Sequence, residues 1–355
     1  MNFHGGQFHQ KGIIDFSVNI PELDYPGGFD EMIKNALLQI RKYPDIDGMN
    51  AKKAIAEYND IGADQIVLGN GATELIYLMS RAINITKATI VQPTFTEYNR
   101  ALIQNNVEVS HYYLDPELGF ELDVQNLIQH LDDTGSDLLV LCNPNNPTGN
   151  LIGMDSIEEI FLSVRNTELM VMIDESFMDF VRDYEHDQHQ QRINALLKTH
   201  SLMVIRSLTK NFMIPGIRIG YAIGSQNMVI KMNQLKEPWS INAFALESIP
   251  FLLKQKDYLK ALREWCQSEQ LYLSSNLSVI DGLTIYESAA NFVLFRLDKE
   301  SVERFMSSMI KGGIYIRPCN DFEGLDHRYF RTTLRKRKDN SQLIKLIKLT
   351  MEAAK

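Results

Sequence analysis

The chain has 355 residues, 45% of them hydrophobic and 23% charged, which excludes a disordered or fibrous protein and allows one large core with a smaller lobe beside it. A formal net charge of -9 excludes the basic surface that phosphate-backbone binding needs, so no nucleic-acid partner is expected, although one pocket can still be locally basic. Cys142, Cys266 and Cys319 lack C-x-x-C or zinc-ligand spacing, the N-terminal "MNFHGGQFHQKG" has no apolar leader core, and no run of about 18 apolar residues occurs. The expectation is a reduced, cytoplasmic protein with no membrane partner and no metal site.

From about residue 65 to 225, short β-rich runs alternate with helical patterns. The runs are "QIVLG", "ATIVQP", "VEVSHYYL", "DLLVLCNP", "LMVMIDES", "LMVIRSLT" and "IRIGYAIG"; between them, "TELIYLMSRAI" and "SIEEIFLSVR" space apolar residues by three and four. That alternation predicts an α/β fold, a largely parallel sheet with helices on both faces, whose ligands bind at the carboxyl ends of the strands. After Pro238 the pattern changes to long charge-dotted helices and then to "NFVLFRL" and "GIYIRPC", which predicts a smaller α+β lobe. The boundaries expected are 1–42 for an N-terminal arm with part of the small domain, 43–247 for the large domain and 248–355 for the C-terminal small domain.

The strand-end loops carry the chemistry. In "VLGNGATELI" a strand meets a glycine turn and a helix opening near Thr73; it reads either as an anion site on the helix N-terminus or as a plain capped turn. It lacks the third glycine of a dinucleotide fingerprint. "LCNPNNPTG" is a rigid polar loop that either presents Asn146 to a ligand oxygen or closes on itself through Asx hydrogen bonds. "MVMIDESF" brings Asp174 to the end of an apolar strand, where a carboxylate either caps the next turn or faces a cation or a protonated ring nitrogen. In "IRSLTKNFMIPGIRIGY", Lys210 follows an apolar run with Ser207, Thr209 and Arg218 nearby. Taken alone it is a surface lysine; held near cations and apolar surface, its amine has a lowered pKa and can form a Schiff base.

Together the four loops suit one cofactor, pyridoxal 5'-phosphate: the Gly-Ala-Thr turn, Ser207 and Arg218 for its phosphate, Asn146 for its hydroxyl, Asp174 for its ring nitrogen and Lys210 for its aldehyde. Two other clusters are expected to be inert. "DYEHDQHQQR", with His186 and His189, reads as a solvated loop, and "LRKRKDN", from Leu334, as a solvated helix start.

Nearly end to end, in "HGG", "KYPDIDG", "GNGATE", "PTFTEY", "CNPNNPTG", "IDESFMDF", "RSLTKNFMIPGIRIGY", "PWSINA" and "IYIRPCNDFEGLDHRYFRTTLR", the chain resembles the fold-type I pyridoxal-phosphate enzymes. Within them it is similar to the branch that holds histidinol-phosphate aminotransferases and the threonine-phosphate decarboxylases of cobalamin biosynthesis. Phe177, where the aminotransferases usually carry tyrosine, the "HGG" arm and the wording of "PWSINA" and "RPCNDFEGLDHRYFR" resemble the decarboxylases.

That resemblance implies Lys210 as the Schiff-base lysine, Asp174 on the ring nitrogen and Asn146 on the hydroxyl, with Gly71, Ala72, Thr73, Ser207 and Arg218 in the phosphate cup. It also implies Phe95 stacked on the ring, Tyr43 reaching the phosphate in a partner subunit and hence a homodimer with shared active sites. Arg331 would hold the substrate carboxylate, with Arg317, His4 and Asn19 at the rest of the substrate. The implied reaction is decarboxylation of a small O-phosphorylated amino acid, phosphothreonine or phosphoserine, with a transaminase of the histidinol-phosphate type as the alternative. A regulator of this fold would carry a basic helix-turn-helix ahead of it, and none is expected here.

Overall fold

A computed structural model of the protein describes residues 5–6, 12–298 and 301–353. After the short strand β1 (Ile14–Asp15), each of the seven apolar runs forms a strand of one sheet: β2 (Ile66–Gly69), β3 (Lys87–Gln92), β4 (Glu108–Tyr113), β5 (Leu138–Cys142), β6 (Met170–Asp174), β7 (Ser201–Ser207) and β8 (Gly220–Gly224). Their order is β2-β8-β7-β6-β5-β3-β4, parallel except for β8, which runs antiparallel to both neighbours.

The strands are apolar throughout because both faces are covered. Alternate residues feed two cores: Leu139, Leu141, Val171, Ile173, Leu202 and Val204 point into one, and Leu138, Val140, Met170, Met172, Met203 and Ile205 into the other. The edge strand β4 is the exception, half exposed, with Lys87 of β3 pairing its Glu108 at 3.1 Å across the register. The parallel strands end on one side of the sheet, so the loops after β2, β3, β5, β6 and β7 face a common space.

The second lobe is an antiparallel sheet, β12-β13-β10-β9, built from β9 (Leu283–Ile285), β10 (Phe292–Leu297), β12 (Arg317–Pro318) and β13 (Tyr329–Thr333). Phe295, Phe305 and Phe330 pack together at its centre. Strand β11 (Ile314–Tyr315) pairs in parallel with β1, and the Thr333 N–H donates to the Phe16 carbonyl at 2.9 Å, so the segment around residues 14–16 packs with the C-terminal sheet. The helix Ala243–Leu252 runs through the expected division at 247/248.

One expectation is corrected and a second is filled in. "DYEHDQHQQR" is not a solvated loop: it enters the helix His186–Thr199, and His189 is turned inward because Glu175 accepts from it at 2.6 Å. The basic run does open a helix, Arg337–Glu352, but its arginines are engaged. Arg335 pairs with Asp339 and Glu22, and Arg337 lies 3.9 Å over the Tyr272 ring while pairing with Glu269.

Candidate active site

The strand-end loops and the second sheet enclose a cleft of about 490 Å³. Ala72, Thr73, Phe95, Asn146, Asp174, Ser207, Lys210 and Arg218 line it from the large sheet, and Asn19, Arg317 and Arg331 from the other side. Gly71 lies just behind, with its φ of +81° at the helix start, a conformation that favours glycine; a Cβ there would also displace the Arg218 guanidinium. Tyr43 is not in the cleft. It is 83% exposed, with its ring 5.0 Å from Trp239. His4 lies outside the described residues; Gly5 lines the cleft, and the Gly6 N–H donates to Ser17 Oγ at 3.0 Å.

One end of the cleft is built for an anion. The helix Ala72–Ala82 points its N-terminus there, with free N–H groups and the positive end of its dipole. Facing it, the buried hydroxyls of Ser207 and Thr209 lie 2.7 Å apart, and the exposed Arg218 approaches from a left-handed backbone conformation, φ +59°.

Deeper in the cleft, buried Asp174 accepts from the Tyr98 hydroxyl at 2.8 Å and from the Ser176 N–H at 2.9 Å. The Lys210 ammonium sits 4.6 Å from the centre of the Phe177 ring. Burial pushes its amine down from the ordinary lysine value; Asp174 opposes that shift, and Arg218 and Arg331 add to it. Among the described residues no carboxylate lies within ion-pair distance of Lys210.

The asparagine loop closes on itself, and its third asparagine turns to a protein partner. Asn143 exchanges hydrogen bonds with Ile152 at 2.9 and 2.8 Å, and Asn145 holds Pro93 and Thr148, so these two make the loop rigid. Asn146 reaches across the cleft and accepts from Arg331 Nη1. Arg331 Nη2 donates to the Ser17 carbonyl at 2.9 Å, while its buried Nε has no partner. Burial and neighbouring Arg317 lower this guanidinium to about 10.

Arg317 and Arg331 are direct cross-strand partners on β12 and β13, both buried. Like charges in that relation repel, so the pairing works against stability. Arg317 is held by Asp321 at 2.6 Å and by the Pro318 carbonyl at 2.6 Å, so it is more committed within the protein than its sequence suggested.

Sequence reasoning overlooked Tyr98 and Ser17, and it noted Thr209 without a role. Tyr98 had a signal, since it follows Phe95 by three residues and so shares its turn; the rings meet edge to face at 5.6 Å. Ser17 acts through its carbonyl, which no residue type announces. Among the described residues no group of three or more His, Cys, Asp or Glu is arranged to hold a metal ion, and no helix is long and apolar enough to cross a membrane.

The model of the family "Aminotransferase class I and II" matches residues 11–347. The chain is 31% identical over 352 residues to threonine-phosphate decarboxylase of Salmonella typhimurium, covering 96% of this chain and 94% of that one. A protein of Caldanaerobacter subterraneus subsp. tengcongensis that bears the same name provisionally is 38% identical over 351 residues, 97% of this chain and 93% of its own length. The crystal structure of the histidinol-phosphate aminotransferase from Clostridium acetobutylicum superposes with a TM-score of 0.87 at 30% identity, covering 95% of this chain and 99% of that one.

Proposed function

Because the chain belongs to the aminotransferase class I and II family, we propose that it is a pyridoxal-phosphate-dependent carboxy-lyase. Its substrate is a small O-phosphorylated amino acid, L-threonine O-3-phosphate or L-serine O-phosphate, and its product an aminoalkyl phosphate. The residues of the cleft fit that cofactor. Ala72, Thr73, Ser207, Thr209 and Arg218 supply donors for a phosphate, Asp174 a buried acceptor for a ring nitrogen, Asn146 a polar group for a ring hydroxyl, and Lys210 an amine of lowered pKa. When bound, the cofactor supplies a conjugated ring that takes up the electron pair left by a bond broken at the substrate's Cα.

The observation that carries the choice of substrate is the cross-strand pair Arg317 and Arg331, two buried guanidinia on one wall. Asp321 already offsets the charge of Arg317, and a ligand with two anionic groups relieves the repulsion that remains; a phosphorylated amino acid has a carboxylate and a phosphate. Arg331, with its unpartnered Nε, takes the carboxylate, and holding that group fixes which bond at Cα stands perpendicular to the ring. Lys210, against the hydroxyl-free Phe177, is placed to return a proton to Cα after carbon dioxide leaves. We assign Tyr43 to the phosphate cup of a second subunit; it is exposed beside Leu37, Leu38 and Ile40, an apolar surface suited to a homodimer.

The close superposition on a histidinol-phosphate aminotransferase favours a second reading, transamination in the same cleft. Mass spectrometry of the holoenzyme offered phosphothreonine, phosphoserine, and histidinol phosphate with 2-oxoglutarate decides between them. Carbon dioxide and an aminoalkyl phosphate are expected; glutamate in proportion to consumed histidinol phosphate, with no carbon dioxide, overturns the decarboxylase.

A further inference from the structure

A carboxylate that serves a ring nitrogen must stay ionised inside the protein. Asp174 is buried, and among the described residues no cation stands within ion-pair distance of it. Two neutral donors hold it instead: the Ser176 N–H on Oδ1 at 2.9 Å and the Tyr98 hydroxyl on Oδ2 at 2.8 Å. The backbone donor comes with the turn after β6 and does not depend on side-chain identity. The phenol does. Tyr98 is 1% exposed, and burial raises its pKa, so its hydroxyl keeps its proton and donates. Its ring also meets Phe95 edge to face, so the turn that leads into the helix Glu97–Gln104 carries both the stacking side chain and the group on Asp174.

We propose that Tyr98 is a positioning residue for the cofactor's ring nitrogen, its hydroxyl fixing the plane of the Asp174 carboxylate and holding it as the anion. The inference rests on the cofactor reading above. A buried carboxylate facing a pyridine nitrogen can share its proton in two ways, as an ion pair with the proton on the ring or as a neutral pair with the proton on the acid. Every donor on the carboxylate stabilises the charged form and keeps the proton on the ring. Without the phenol, Oδ2 loses its donor and the carboxylate is no longer fixed in the plane that faces the ring nitrogen.

The test separates this role from packing by changing the ligand as well as the protein. Cofactor-free wild type and Tyr98→Phe are titrated with pyridoxal 5'-phosphate and with its deaza analogue, in which a C–H replaces the ring nitrogen. Tyr98→Phe should bind pyridoxal phosphate about tenfold more weakly, as for one hydrogen bond to a charged group, and the analogue within about twofold of wild type. Equal weakening for both ligands, or no weakening for either, overturns the proposal. In an Asp174→Asn background, Tyr98→Phe should cause no further loss of pyridoxal phosphate, and a full tenfold loss there also overturns it.

If Tyr98→Phe does not fold, Tyr98→3-fluorotyrosine, a stronger donor of nearly the same shape, should tighten pyridoxal phosphate alone; an equal change for the analogue, or none, counts against the role. A wild-type protein that binds neither ligand overturns the cofactor reading and this proposal with it. One that binds pyridoxal phosphate but releases no carbon dioxide overturns only the decarboxylation.

Discussion

Two buried polar clusters lie one residue apart on the same pair of strands. Asp174 and Ser207 open into the cleft; Glu175 and Arg206, next to them in sequence, face the helix His186–Thr199. In the second cluster the bonding is nearly complete: Glu175 accepts from Arg206 at 2.8 Å and from His189 at 2.6 Å, and Arg206 Nη1 donates to Asn59 at 2.6 Å. In the cleft it is not. Lys210 rests on an aromatic ring, Arg331 faces another arginine, and Arg331 Nε, Ser176 Oγ and Asn19 Oδ1 have no partner. Asp174, Ser207 and Arg331 are as buried as Glu175 and Arg206, so burial does not distinguish the two clusters. A polar group whose valences are filled by the protein stabilises the fold, and one left unfilled is available to a ligand at a cost in stability.

The sharpest way to break that contrast is to exchange activity for stability in each cluster. Lys210→Met should lower turnover at least about 10⁴-fold and remove the cofactor adduct that borohydride would fix to the protein. The cofactor-free variant should unfold at pH 7 no more easily than wild type. An amine whose folded pKa lies below its unfolded value of 10.5 destabilises the fold at neutral pH and ceases to do so as pH rises through that range. Retained turnover, or a borohydride adduct on another lysine, would remove Lys210 from the centre of the site. Glu175→Gln should do the reverse: a loss of about 3 kcal/mol in urea unfolding, as for a broken buried ion pair, with kcat and KM within about threefold of wild type. An activity loss like that of Lys210→Met would show the second cluster to be part of the catalytic machinery.

The same contrast explains what the sequence could disclose. The large sheet was legible because each strand is a short apolar run and each face has a core to fill, and the cleft residues were legible because strand ends are where a parallel sheet collects its loops. Lys210, Asp174 and Asn146 come together as those patterns imply. The second cluster was not legible: "DYEHDQHQQR" reads as polar and therefore solvated, and only the partner Glu175, the residue after β6, turns His189 inward. Arg317 was legible by its type but not by its bonds, since the Asp321 that holds it lies one helical turn on in a segment with no helix. Pairings between elements decide such positions, and one-dimensional periodicity does not record them.

The smallest effect expected bears on whether the second cluster is purely structural. His186 caps its outer side, with its ring 4.0 Å from Tyr58 and Nε2 3.4 Å from Asn59 Oδ1. Burial, together with Arg206, pushes its pKa down from 6.5 to about 4, against the pull of Asp187 and Glu175. A histidine that is harder to protonate when folded contributes its full stability above the unfolded value of 6.5 and loses it as pH falls toward 4, because the unfolded chain takes up the proton first. At pH 5 that amounts to about 2 kcal/mol. His186→Gln, which cannot titrate, should therefore flatten the dependence of unfolding free energy on pH between 6.5 and 4 while leaving the pH profile of kcat unchanged. Over the same interval Glu175, held at about 2 by Arg206 and His189 against the upward push of burial, adds its own loss only below its unfolded value of 4.5, so the two groups separate on the pH axis. A stability profile identical to wild type would mean that His186 does not sense the buried charge of Arg206. A shifted kcat profile would mean that the cluster behind the cleft reaches into its chemistry.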